Sequence, residues 1–177
     1  MRTFVGKITL LLLLGLMLSL AMGQAIAQDD GATETGDSDL AAALPSAHTL
    51  YGFTYHAQQW NNCGPATLTM ALSFFGYADD QNRAADWLKP NYEDKNVSPW
   101  QMTEFVNTQV PEFPVYSMVR YGGTLDLLKA LIYNDFPVII EAGYDPPRAD
   151  QGWMGHYLLM VGYDDAARRF FIYDSWL

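Results

Sequence analysis

Three observations over residues 51–177 predict an α+β fold. Segments with helical periodicity come first, short apolar runs suited to strands come second, and a turn signal separates the last two of those runs. Helices followed by antiparallel strands predict a layered domain in which N-terminal helices pack on one side of a C-terminal sheet.

Ala66, Met70, Ala71, Phe74 and Phe75 recur at helical spacing behind Gly64-Pro65, and Gly76 supplies a stop signal. Cys63 therefore falls at a helix N-terminus. A second helix reads from Gln81 to Leu88, ended by Pro90, and a third from Pro99 to about Thr108, with Ser98 as its cap and Pro99 in its first turn. Thr124 opens a fourth, whose Leu125, Leu128, Leu131 and Ile132 form a core-facing stripe. Beyond Pro137, Val138 to Ala142, Tyr157 to Tyr163 and Phe170 to Tyr173 read as strands, and an Asp164-Asp165 turn joins the last two as a hairpin.

The N-terminal stretch has a different character. Arg2 and Lys7 precede an apolar run from Ile8 to Met22, and Ala25-Ile26-Ala27 offers small residues for cleavage, the pattern of a signal peptide over residues 1–27. The run is shorter than the roughly 20 residues a spanning helix needs, so export is expected, with an uncleaved N-terminal membrane anchor as the alternative. Residues 28–50 are acidic, rich in small residues and poor in aromatics, and read as a disordered acidic linker. Every acidic residue lies after residue 28, so loss of Arg2 and Lys7 makes the formal charge of −10 two units more negative. Such a charge disfavours nucleic acid as a partner and keeps an exported chain soluble. A monomer without stable membrane insertion after cleavage is expected.

Cys63 is the sole cysteine, so no intramolecular disulfide exists in a compartment that would permit one. A thiol at a helix N-terminus sits in a field that favours thiolate, the form that acts as nucleophile. His156 begins the strand that runs to Tyr163, where it can face a cleft and serve as general base. A hairpin centred on Asp164-Asp165 sets His156 opposite about position 173, which places Asp174 beside it to orient the imidazole. Gln58 and Gln59 lie just upstream of Cys63, and an amide donor there, with the Cys63 backbone N–H, would form an oxyanion hole; the sequence leaves open which Gln serves. His48, at the edge of the linker, is expected to be solvated, and His56 is a weaker rival base. Asp79-Asp80, Asp145 and Asp150 lack the ligand spacing of a calcium loop and read as turn chemistry. No cofactor or metal is expected.

Gln58-x-Trp60-Asn61-Asn62-Cys63-Gly64-Pro65-Ala66, then Gly155-His156-Tyr157 through Val161-Gly162-Tyr163-Asp164, and a closing Tyr173-Asp174 resemble family thirty-nine of the cysteine peptidases. More narrowly, they resemble its stand-alone exported branch, from about Tyr51 to Leu177. The resemblance implies a papain-like fold, a Cys63–His156–Asp174 triad, a Gln near Gln58 in the oxyanion hole, and hydrolysis of peptide or protein amide bonds through a thioester. The Cys of transporter-borne members usually follows an Asp, where this chain has Asn62, and no transporter segment is present, so leader-peptide cleavage is not carried over. An ending on Asp174-Ser175-Trp176-Leu177 leaves open a chain cut short at its C-terminus.

Other readings remain at this level. The same triad could transfer an acyl group to an amine. A catalytically silent papain-like module could hold a peptide through Trp60, Trp100, Trp153 and Trp176. Cell-wall hydrolases of related core commonly place their nucleophile in an Asp-Cys-Ser-Gly setting that is absent here.

Overall fold

A computed structural model describes residues 44–91, 96–144 and 154–177. The segment read as a signal peptide, most of the segment read as a linker, Asp145, Asp150 and Trp153 lie outside the described residues. Among the described residues no helix is long and apolar enough to cross a membrane.

In chain order the elements are β1 (Ala47–Thr49), α1 (Cys63–Ser73), α2 (Gln81–Leu88), α3 (Pro99–Gln109), α4 (Leu125–Tyr133), β2 (Val138–Tyr144), β3 (Met154–Asp164) and β4 (Arg169–Tyr173). The local chemistry accounts for most boundaries. Asp80 caps α2 by accepting from the Asn82 N–H, Thr124 caps α4 by accepting from the Leu127 N–H, and Ser98 with Gln101 forms a capping box ahead of Pro99 in α3. β1 begins inside the stretch read as linker, and Leu50 directly after it is buried. Three residues are too few for periodicity to reveal a strand, and this one exists because β3 offers it a partner.

β3 is the centre of an antiparallel sheet. Tyr163 pairs with both His48 and Phe170, and Leu159 with both Ile139 and Tyr173, so β1 and β2 share one edge of β3 while β4 takes the other. A bulge between Met160 and Gly162 interrupts the β3–β4 register. Gly162 suits this crowded place, since a Cβ there would lie 2.7 Å from Thr49 Oγ1 and 2.9 Å from the His48 carbonyl oxygen.

Helices cover both faces of the sheet, which differs from the one-sided packing expected. Leu159, Val161 and Ile139 pack with Met70 and Ala71 of α1, whereas Met160, Val138 and Ile140 pack with Ile132 and Leu128 of α4. Alternation along a strand puts these two sets on opposite faces. The unbroken apolar runs of β2 and β3 are the signature of a sheet buried on both sides. The bulge also turns Tyr163 to the α4 side, where Lys129 Nζ lies 5.8 Å from its ring centroid.

α1 is the central helix. Every residue from Gly64 to Ser73 is buried, because the sheet covers one side while α2 and α3 cover the other through Leu68, Leu72, Ala84, Leu88, Phe105 and Val106. A helix enclosed all round needs its polar side chains satisfied. Thr67 Oγ1 donates to the Tyr157 carbonyl, Thr69 Oγ1 to the Pro65 carbonyl, and Ser73 Oγ to the Met70 carbonyl while accepting from the Thr54 N–H. α1 closes at Ser73, so Phe74 becomes its C-cap and Phe75 is exposed rather than completing the helical stripe.

Candidate active site

Cys63 is the first residue of α1 and only partly buried, packed at the margin of the α1–α2–α3 core. Gly64 follows because nothing larger fits: a Cβ there would lie 2.3 Å from Val97 Cγ2 and 3.4 Å from Tyr157 Cδ2. Thr67 Oγ1 donates to the Tyr157 carbonyl at 3.1 Å, and Tyr157 Oη donates to the Val97 carbonyl at 2.7 Å. These contacts tie the first turn of α1 to the residue after His156. Burial, with the negative charges of Glu141 and a Cys63 thiolate adding to it, pushes the Tyr157 hydroxyl well above its ordinary range.

His156 lies in β3, paired with Ala142 of β2, and its Nε2 is 2.8 Å from Asp174 Oδ1. The two residues meet as expected, but by a different register. The turn spans Asp165 to Arg168, with Arg168 at φ 51°, and Leu159 rather than His156 stands opposite Tyr173. A two-residue turn at Asp164-Asp165 is displaced because Ala167 N–H donates to Asp164 Oδ1 and Arg168 N–H to the Asp165 carbonyl, closing a wider loop. Carried on by one residue, the observed register sets Asp174 opposite Leu158, on the same face as His156, so the carboxylate reaches the imidazole diagonally.

The carboxylate is itself anchored. The Trp176 backbone N–H also donates to Asp174 Oδ1, at 2.9 Å. With Nε2–H donated to Asp174, Nδ1 of His156 is left as the basic nitrogen. Among the described residues the Cys63 thiol makes no hydrogen bond, and catalytic contacts of this kind commonly tighten only when substrate is bound.

Gln58 joins this group and Gln59 does not. The Gln58 backbone N–H donates to the Ser175 carbonyl at 2.8 Å, and Ser175 Oγ donates to Gln58 Oε1 at 2.9 Å. Among the described residues nothing takes up the Gln58 Nε2 donors, which lie beside the residue that follows Asp174. Gln59 is exposed, and its backbone N–H is taken up by Gln81 Oε1. Asp79 and Asp80 do serve local structure, Asp79 pairing with Arg83 and Asp80 capping α2. His48 departs from the solvated expectation: it lies in β1 with its ring edge-on to Tyr133 at 5.4 Å, and among the described residues its buried Nε2 has no hydrogen-bond partner. Pairing of β1 with β3 draws it in.

Sequence reasoning missed two residues at this site. Ser175 is 1% exposed and fixes the Gln58 amide, yet a Ser after an Asp carries no signal by itself. Gln81, 5% exposed at the start of α2, bonds to three residues of the loop before Cys63. That pairing arises only through the fold. Trp60 and Trp176, both largely exposed, flank a groove lined also by Gln58, Asn61 and Ser175.

A helix-borne cysteine, a strand-borne histidine bonded to a carboxylate, and helices on both faces of an antiparallel sheet define a papain-like cysteine peptidase architecture. Residues 50–177 match the Peptidase_C39 like family, and the chain belongs to it. Among solved structures it is similar to xylellain, a cysteine protease from Xylella fastidiosa, with a TM-score of 0.58 at 15% identity, covering 78% of this chain and 77% of that one. No curated protein matches it in sequence.

Proposed function

We propose that the chain is an exported cysteine peptidase that hydrolyses peptide bonds with Cys63 as nucleophile, His156 as general base and acid, and Asp174 as the group that orients His156. The observation that carries the reading is the 2.8 Å contact between His156 Nε2 and Asp174 Oδ1, which leaves Nδ1 for the proton of a thiol at the start of α1. Export rests on the pattern of residues 1–27.

His156 Nδ1 takes the Cys63 proton, and the thiolate attacks the carbonyl carbon, forming a C–S bond and moving charge to oxygen. The Gln58 Nε2 donors and the Cys63 backbone N–H stabilise that oxyanion. The C–N bond breaks, His156 passes its proton to the leaving amine, and a thioester remains. Water then attacks the thioester with His156 again as base, releasing the acid and restoring the thiol.

The test is the pH dependence of Cys63 alkylation by iodoacetamide in the purified protein and in His156→Ala. A rate already high near pH 6 that collapses in the variant supports the pair. A thiol titrating near the free value of about 8.5 in both proteins refutes it.

A further inference from the structure

We infer that Gln81 is a positioning residue that sets the geometry of the oxyanion hole by bracing the loop between Gln58 and Cys63 from outside. The inference rests on the reading of Cys63 as nucleophile and Gln58 as oxyanion donor. Gln81 occupies the first position of α2, and the Asp80 cap fixes where that position lies. Its side chain uses three hydrogen bonds on one stretch of chain: Oε1 accepts from the Gln59 N–H at 2.9 Å and from Asn62 Nδ2 at 3.2 Å, and Nε2 donates to the Ala57 carbonyl at 2.7 Å.

The three bonded residues bracket the candidate donor and nucleophile. Ala57 and Gln59 are the two neighbours of Gln58, and Asn62 is the residue before Cys63. The far end of α2 grips the same loop, where Lys89 Nζ donates to the carbonyls of Trp60 at 3.1 Å and Asn61 at 2.8 Å. Within that loop Asn61 sits at φ 53°, a left-handed conformation that asparagine adopts more readily than other non-glycine residues, and the bonds to its carbonyl and its neighbours help to hold it. Gln81 itself is buried, so losing its amide removes one partner from three polar groups, of which the Asn62 amide is buried and the other two lie on exposed residues. The expected consequence is a displaced Gln58 donor, with Cys63 kept in place by α1.

Two small reagents separate these effects without a known peptide substrate. Iodoacetamide alkylates the thiolate and builds no oxyanion. p-Nitrophenyl acetate acetylates Cys63 through a tetrahedral oxyanion: a C–S bond forms, the ester C–O bond breaks, and p-nitrophenolate leaves. In Gln81→Leu, alkylation is expected to keep the wild-type rate and pH profile, while the acetylation burst slows about tenfold. Gln81→Glu keeps an acceptor for Gln59 and Asn62 but sets a carboxylate oxygen against the Ala57 carbonyl, so it should recover only part of that loss, and it also serves if Gln81→Leu fails to fold. Acetylation at the wild-type rate in folded variants overturns the inference, as does a parallel fall of both rates with the thermal midpoint. Failure of the parent reading is seen separately, as an ordinary thiol pH profile in the wild-type protein.

Discussion

Gln58 and Ser175 grip each other twice, through a backbone N–H to carbonyl bond of 2.8 Å and a return bond of 2.9 Å from the Ser175 hydroxyl to Gln58 Oε1. The double contact fixes the orientation of the amide, because an occupied Oε1 directs the two Nε2 donors the other way. It also joins the loop before the candidate nucleophile to the residue after the candidate orienting carboxylate.

Gln58→Ala removes the donor and is expected to slow acetylation of Cys63 by about a hundredfold. Ser175→Ala leaves the donor free to rotate and should cost less. Because both substitutions act through one amide, the double variant should be no slower than Gln58→Ala alone. Stopped-flow measurement of the p-nitrophenolate burst checks this, and simple addition of the two losses would mean that Ser175 does not act through Gln58.

Asp174 accepts from both His156 Nε2 and the Trp176 N–H through one oxygen. Asp174→Asn can keep a carbonyl oxygen in that place, whereas Asp174→Ala removes it and frees the imidazole. The alanine variant is expected to lose about a hundredfold or more in acylation rate, with the asparagine variant between it and wild type. Equal losses in the two would assign the effect to charge rather than orientation.

The helices and main strands are legible from periodicity and start signals: Ser98-Pro99 and Thr124 mark where α3 and α4 start, whereas the Asp80 cap of α2 reads in the sequence only as a turn residue. Cys63 at a helix start and the meeting of His156 with Asp174 are also legible, but the register is not, because a four-residue turn and a bulge at Val161 leave little local trace. β1 was hidden by its shortness. Burial of both sheet faces could have been read from the unbroken apolar runs, which a one-sided sheet would interrupt with polar residues. Gln81 and Ser175 were not legible, since their roles consist of contacts across the fold.

Gly64 and Val97 compete for one space, as a Cβ on Gly64 would approach Val97 Cγ2 to 2.3 Å. Val97 is buried and β-branched, so it yields poorly. Gly64→Ala is expected to destabilise the fold by about 1–3 kcal/mol. In the Gly64→Ala, Val97→Ala double variant the clash is gone, and the stability should exceed the sum of the single effects. Urea unfolding of the four proteins measures the coupling, and strict additivity would show that the backbone relaxes without involving Val97.

Alkaline stability follows from Tyr77. Its burial, partly offset by the nearby Arg83 guanidinium, raises the hydroxyl from 10.0 to about 12 in the folded protein. Between those values the unfolded chain has lost the proton while the folded chain keeps it, so unfolding gains from ionisation and stability falls as pH rises. The contribution is fully present below pH 10 and gone once pH passes about 12. Tyr157, raised in the same direction by burial, steepens the fall. Tyr77→Phe has no proton to lose and should show a shallower decline across this window than wild type, measured as the urea midpoint at successive pH values. Matching slopes in the two proteins would mean that Tyr77 ionises in the native state as readily as in the unfolded one, and that its burial does not hold at alkaline pH.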